Sequence, residues 1–452
     1  MRPLSPRLRT WLMVGLVVVV IVGGVAAWAM LPPRALSFAG GHPVSLADYK
    51  DPSPVGVPLE LRAGDVIARG KYLTQAADCE VCHTREGGQP FAGGRAFKSP
   101  FGVLYSPNIT GDRETGIGTW SDADFLRAVH QGIGKNGERL YPAFPYESYT
   151  LITDDDVMAI KAYLLSLPPV HAAAPPDGLS FPFNQRWLMG MWALFYNPDE
   201  RFQPHADRGP EWNRGAYLVE ALGHCGDCHT PRNLAQAPDN RHKFGGTVIS
   251  GWRAYNITAD SASGIGSWSD DELADYLRAG HATGHGSAGG PMAEEVAASS
   301  SKLTAGDLRA MATYLRTVPP IRTKDLPAVK IEAASDSPKL TQAAIDPRGR
   351  EIFEGACASC HGWSGVSMVT SSATLTGNRA VNDRSAMNVV QIVLSGERTT
   401  TTEGLELMPA FGNAYSDTEI AALANYVTAR FGASPSHLTA KDVARLRQLS
   451  SN

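Results

Sequence analysis

Neither sign of charge is in excess: 41 Lys and Arg against 45 Asp and Glu leave a formal net charge of -4 over 452 residues. No basic surplus is left to grip nucleic acid and no acidic surplus keeps the chain unfolded, so a globular protein without a nucleic-acid partner is expected. No phosphate-cradling loop, activated nucleophile or carboxylate pair stands above background, which leaves hydrolysis and group transfer without support and no catalytic residue to assign. Cysteine is scarce. There are six, and none stands alone.

Long hydrophobic runs are few as well, and one matters: an uncharged stretch from Trp11 to Leu31, preceded by Arg2, Arg7 and Arg9 and closed by Pro32-Pro33. At 1.5 Å per residue it is long enough for a bilayer core of about 30 Å, and arginines ahead of it hold that end in the cytoplasm. Residues 1–33 therefore read as a retained transmembrane anchor that places the chain at a bacterial cytoplasmic membrane, on the periplasmic side. The alternative is a cleaved signal with Ala27-Trp28-Ala29 as its site, although the apolar core of a signal is usually only about 7–15 residues.

All six cysteines fall into three copies of one pattern: Cys79-Glu80-Val81-Cys82-His83, Cys225-Gly226-Asp227-Cys228-His229 and Cys357-Ala358-Ser359-Cys360-His361. Two thiols three apart can form thioethers to the two vinyl groups of one haem while the next histidine offers its imidazole to the iron, so the pattern reads as three covalently attached haem c groups. A zinc ribbon would need paired knuckles within one small domain. A thioredoxin-like site has no need of histidine after the second cysteine, and disulfides leave the repeated order unexplained.

The chain also repeats itself. Asn108-Ile109-Thr110 matches Asn256-Ile257-Thr258, and Gly116-Ile117-Gly118-Thr119-Trp120-Ser121-Asp122 matches Gly264-Ile265-Gly266-Ser267-Trp268-Ser269-Asp270, at a constant offset of 148 residues. That is a duplication. Each unit ends on a capped amphipathic helix opening at Thr153, Thr304 or Ser416. Gly70, Gly215 and Gly349, each shortly before an aromatic, predict that the first helix of every unit crosses the last at close range. Trp120 and Trp268 read as packing on, or donating to, a haem propionate, and His224, His281 and His285 as solvated loop histidines. Asn108 and Asn256 formally match a glycosylation sequon but read as turn formers.

One iron face remains open beside each motif histidine, and the usual completion is a methionine from a loop ahead of the last helix. Met292 and Met408 occupy that place in the second and third units. The first unit departs: the offset carries Met292 onto Phe144, and no methionine occurs between His83 and Met158. Its iron is either five-coordinate or takes a ligand from elsewhere, Met189 first, with Met191, Met158 and His130 behind it.

With Leu140-Tyr141-Pro142-Ala143, Pro145-Tyr146, Asn213-Arg214-Gly215-Ala216-Tyr217-Leu218-Val219, Thr230-Pro231-Arg232-Asn233 and Met408-Pro409-Ala410-Phe411, the sequence resembles, over roughly residues 64–433, the membrane-bound tri-haem cytochrome c subunits of periplasmic dehydrogenases for alcohols, gluconate, sorbitol, fructose and aldehydes. Members commonly carry methionine where Phe144 stands. The resemblance implies a periplasmic dehydrogenase catalytic subunit as electron donor, ubiquinone or a terminal oxidase as acceptor, and no substrate oxidation by this chain. An open first haem acting as a peroxidase or small-ligand binder is the alternative. The expected fold is all-α: three class I cytochrome c-type domains in tandem behind one N-terminal transmembrane helix. The boundaries are 1–33 anchor or signal, 64–170 first domain, 171–207 linker, 208–320 second domain, 321–343 linker, 344–433 third domain and 434–452 tail.

Overall fold

The computed structural model describes residues 6–62, 64–332, 346–401 and 404–450; the second half of the 321–343 linker, from residue 333, and the start of the third unit lie outside them. The N-terminal run forms helix α1 (Pro6–Met30). Among the described residues no helix is long and apolar enough to cross a membrane, which corrects the expected transmembrane helix.

Three helical units follow. The first holds α2 (Val66–Ala76), α3 (Cys79–His83), α4 (Asp122–Gln131), α5 (Tyr146–Tyr149) and α6 (Asp154–Ser166). After α7 (Leu188–Tyr196), the second holds α8 (Pro210–Ala216), α9 (Gly226–His229), α10 (Asp270–Ala279), α11 (Pro291–Ala298) and α12 (Ala305–Leu315). The third holds α13 (Pro347–Ile352), α14 (Ala358–His361), α15 (Met387–Ser395) and α16 (Asp417–Phe431), and the tail adds α17 (Ala440–Ser450), which buries Val443 and Leu446.

The chain is not all-α. Strands β1 (Ala96–Ser99), β2 (Gly102–Tyr105) and β3 (Gly178–Leu179) form an antiparallel sheet, and β4 (Thr247–Ile249) with β5 (Trp252–Ala254), β6 (His281–Ala282) with β7 (Gly286–Ser287), and β8 (Glu397–Thr401) with β9 (Gly404–Met408) form hairpins. Turn residues explain why. Between β4 and β5, Ser250 and Gly251 both hold positive φ (49 and 79), the pair of values that closes a two-residue hairpin without splaying its strands.

Local chemistry fixes the helices that close each unit. The Thr153, Thr304 and Ser416 side chains accept from the backbone N–H of Asp156, Asp307 and Glu419, so α6, α12 and α16 begin where the sequence places their caps. The crossings are also as expected: α2 packs on α6, α8 on α12 and α13 on α16. A Cβ at Gly70, Gly215 or Gly349 would collide with the carbonyl of Ala159, Ala310 or Ala422. Only glycine permits that approach.

The first two units share one apolar core, in which Leu73, Leu164, Tyr217, Leu218 and Tyr314 are buried, while the third builds its own around Phe353, Tyr426 and Phe431. Polar groups lock the first pair reciprocally. Tyr72 of the first unit donates its hydroxyl to Asp307 of the second at 2.6 Å, and Tyr217 of the second donates to Asp156 of the first at 2.6 Å. Both carboxylates are buried, so each must be fully bonded. Arg214 completes Asp307 through two bonds of 2.8 and 2.6 Å, and Gly56 N–H donates to Asp156 at 2.8 Å.

Candidate functional site

Each Cys-x-x-Cys-His segment forms a single helical turn, α3, α9 or α14, directly after the crossing helix. In the second and third units the approach includes a π-helical turn, Tyr217–Leu222 and Phe353–Cys357, a widening often found at functional sites. All six cysteines are free thiols, so none is spent on a disulfide.

The three histidines are held alike. His83 Nδ1 meets Pro107 O at 2.8 Å, His229 Nδ1 meets Tyr255 O at 2.6 Å, and His361 Nδ1 meets Ala373 O at 2.6 Å. A carbonyl only accepts, so Nδ1 carries the proton and the lone pair sits on Nε2, the arrangement that orients a histidine for a metal. Burial lowers the pKa of all three imidazoles and keeps them neutral, as a ligand must be.

A cavity of 2610 Å³ runs beside these segments. It is lined by Cys225, Cys228 and His229 from the second site, Cys357, Cys360 and His361 from the third, and both Met292 and Met408. The structure thus brings the second and third motif histidines and their loop methionines onto one space. Paired thiols, a histidine with its tautomer fixed and an apolar wall together fit haem c.

At the first site the cavity reaches Cys82 and Met189 but not Phe144. The Phe144 ring packs against Tyr149 at 5.5 Å, within the core. Met191 is 57% exposed, Met158 lies half-buried in α6, and buried His130 sits near Asp154 and Arg201 with its pKa lowered to about 4 by burial.

Two stretches match family models. Residues 67–168 match the cytochrome c model, and residues 344–427 match that of cytochrome c oxidase, cbb3-type, subunit III; between them they cover the first and third motifs. The fructose dehydrogenase cytochrome subunit of Gluconobacter japonicus is 38% identical over 403 residues, 84% of this chain and 82% of that protein. The gluconate 2-dehydrogenase cytochrome c subunit of Pantoea cypripedii is 37% identical over 85% of this chain and 90% of its own length. The chain belongs to the cytochrome c subunits of dehydrogenases. It is also 41% identical to a nicotinate dehydrogenase subunit from Pseudomonas putida, of whose length it spans 30%. The role of this cytochrome c subunit is electron transfer, not substrate oxidation.

Other residues of the cytochrome subunit depart from the sequence reading. The three loop histidines are half-buried and in contact rather than free in solvent: His285 stacks on Trp268 at 3.9 Å, His281 meets Ser287 Oγ at 3.0 Å, and the ring of His224 lies 5.4 Å from that of Tyr149. Asn108 and Asn256, by contrast, are turn formers as the sequence reading expects, and their burial removes any use as glycosylation sites. Asn108 donates to Val170 O at 2.6 Å and accepts from Thr110 N–H, and Asn256 does the same with Ile321 O and Thr258 N–H. Each asparagine ties the loop behind its histidine to the strap leaving the last helix. Sequence reasoning missed Tyr255, whose carbonyl fixes His229 while its hydroxyl donates to Asp383 of the third unit at 3.2 Å. It missed the buried carboxylates between the first two sites as well: Asp78, Glu147 and Glu295, all held above the usual carboxylate range chiefly by burial.

Proposed function

We propose that this subunit carries electrons from the catalytic subunit of a dehydrogenase, through three haem c groups, to ubiquinone or a terminal oxidase, on the periplasmic side of a bacterial cytoplasmic membrane. Three cytochrome c-type domains, 64–170, 208–320 and 344–433, would each hold one group. When bound, haem c supplies a one-electron carrier at each site. Cys79 and Cys82, Cys225 and Cys228, and Cys357 and Cys360 anchor it. His83, His229 and His361 would offer Nε2 to the iron, and Met292 and Met408 would supply a further ligand at the second and third sites.

The observation that carries this reading is the triple recurrence of a motif histidine bonded through Nδ1 to a backbone carbonyl. It supports a count of three because the second site, outside both family-model matches, is built like the other two. The shared cavity supports a relay, since residues of the second and third motifs line one space.

Pyridine haemochrome quantification of the full chain, with a redox titration, tests the count. Three haems per chain are expected, and two would overturn the count. A carbon monoxide difference spectrum on the reduced protein then addresses Phe144. No binding means that the first iron has found another ligand, Met189 by our reading. Binding at one haem opens the small-ligand alternative at the first site.

A further inference from the structure

The segment joining the first two units carries an apolar surface that nothing among the described residues covers. Along it Phe181 is 80% exposed, Trp187 63%, Met191 57%, Leu194 78% and Phe195 59%. One face of α7 is anchored: Trp192 and Ala193 are buried, Trp192 Nε1 donates to Ala235 O at 2.8 Å, and its ring meets that of Tyr146 edge-on. The opposite face is bare. No charged residue occurs from Leu188 to Tyr196. The ions on either side are already paired, Arg186 with Asp177, Arg201 with Asp199 and Arg34 with Glu200.

A second observation places more apolar surface at the same end. Tyr196 donates its hydroxyl to Met30 O at 2.7 Å, and the Arg241 guanidinium lies 4.5 Å over the ring of Trp28, itself 66% exposed. The end of α7 is thus tied to the end of α1, whose side chains from Trp11 to Val25 are all exposed.

We propose that α7 lies on a lipid surface and sinks Trp187, Met191, Leu194 and Phe195 into the boundary between headgroups and acyl chains. Its geometry suits that place and no deeper one. Nine residues rise about 13 Å, less than half of a bilayer core of roughly 30 Å. Trp and Tyr at the edges of the patch are the residues that settle at headgroup depth. A protein partner fits less well: one helix face of about 13 by 10 Å is far below the roughly 800 Å² per partner of a stable interface. Because the flanking ions are paired, insertion depends on apolar area and responds little to salt.

The proposal rests on the membrane-side location given above but not on the electron route. It is tested on the full, haem-loaded chain in vesicles of phosphatidylethanolamine and phosphatidylglycerol. With the six native cysteines held as thioethers, a nitroxide can be attached at Leu194→Cys, or separately at Met191→Cys, with Met368→Cys as control because Met368 is 94% exposed in the third unit. We expect oxygen to reach the label at Leu194 and Met191 while a water-soluble nickel chelate is excluded several-fold relative to the Met368 label. Free access of the chelate overturns the proposal. Exclusion of both probes in the assembled dehydrogenase complex overturns it in favour of a protein cover. Haem content and reduction by the catalytic subunit, measured on the same samples, report separately on electron transfer.

Discussion

At the scale of single residues, the motif cysteines and histidines were legible because covalent attachment fixes their spacing. The carbonyls that aim the histidines were not. Pro107, Tyr255 and Ala373 share no side-chain chemistry, and a backbone oxygen accepts a hydrogen bond whatever side chain its residue carries. Met292 and Met408 lay between these extremes: their loop position singled them out, and the structure sets both on the cavity that holds His229 and His361. Met292→Leu and Met408→Leu should each open one reduced haem to carbon monoxide. Each should also lower that haem's potential, by a sizeable part of the about 0.8 V over which axial ligands tune haem iron. Titration with an unchanged potential and no carbon monoxide adduct would remove the methionine concerned from the ligand set.

At the scale of elements, what the sequence revealed depended on element length. The capped closing helices span three to four turns and show both an end signal and a period, and the crossing glycines marked where they meet their partners. The strands of two to five residues are too short for alternation to register, and the expectation of an all-α fold failed on them. The crossings give a direct test. Gly215→Ala pushes a methyl group against the Ala310 carbonyl, on two helices that cannot separate without exposing Tyr217 and Tyr314. A loss of about 1–3 kcal/mol is expected in chemical denaturation followed by circular dichroism, as for other overpacked cores. An equal-sized change at Gly306, where an added Cβ meets only the Thr304 hydroxyl at 3.9 Å, should be tolerated.

Across the whole molecule the decisive contacts were invisible in advance, because the residues that make them are remote in sequence: Tyr72 and Asp307 stand 235 positions apart. The buried carboxylates at the junction of the first two units belong to the same category. Glu147 is enclosed near Asp227, with Arg232 at 3.7 Å, and burial raises its pKa to about 8. Its folded-state pKa therefore lies above the unfolded one, and the folded chain keeps a proton that the unfolded chain releases. Stability should fall as pH rises from about 4.5 to 8, by at most about 1.4 kcal/mol per pH unit from this group. Glu147→Gln should flatten that slope in denaturation curves recorded across the window. A slope unchanged in the variant would assign the pH dependence elsewhere, Glu295 being next, since burial raises it to about 7.

The exchanged tyrosines reach beyond stability. Each of the first two units carries a buried carboxylate that the other unit's hydroxyl helps to close, so a gene segment encoding one of them alone would leave one buried bond to that carboxylate unmade. Shuffling or truncation that keeps the first two units together, along with the segment that carries Gly56, should give haem-loaded protein. A cut near residue 190 should give two fragments that are degraded when made singly and recover only when made together. The pair is then the smallest part that keeps its buried bonds whole, whereas the third unit has a core of its own and meets the second through bonds such as that of Tyr255 to Asp383.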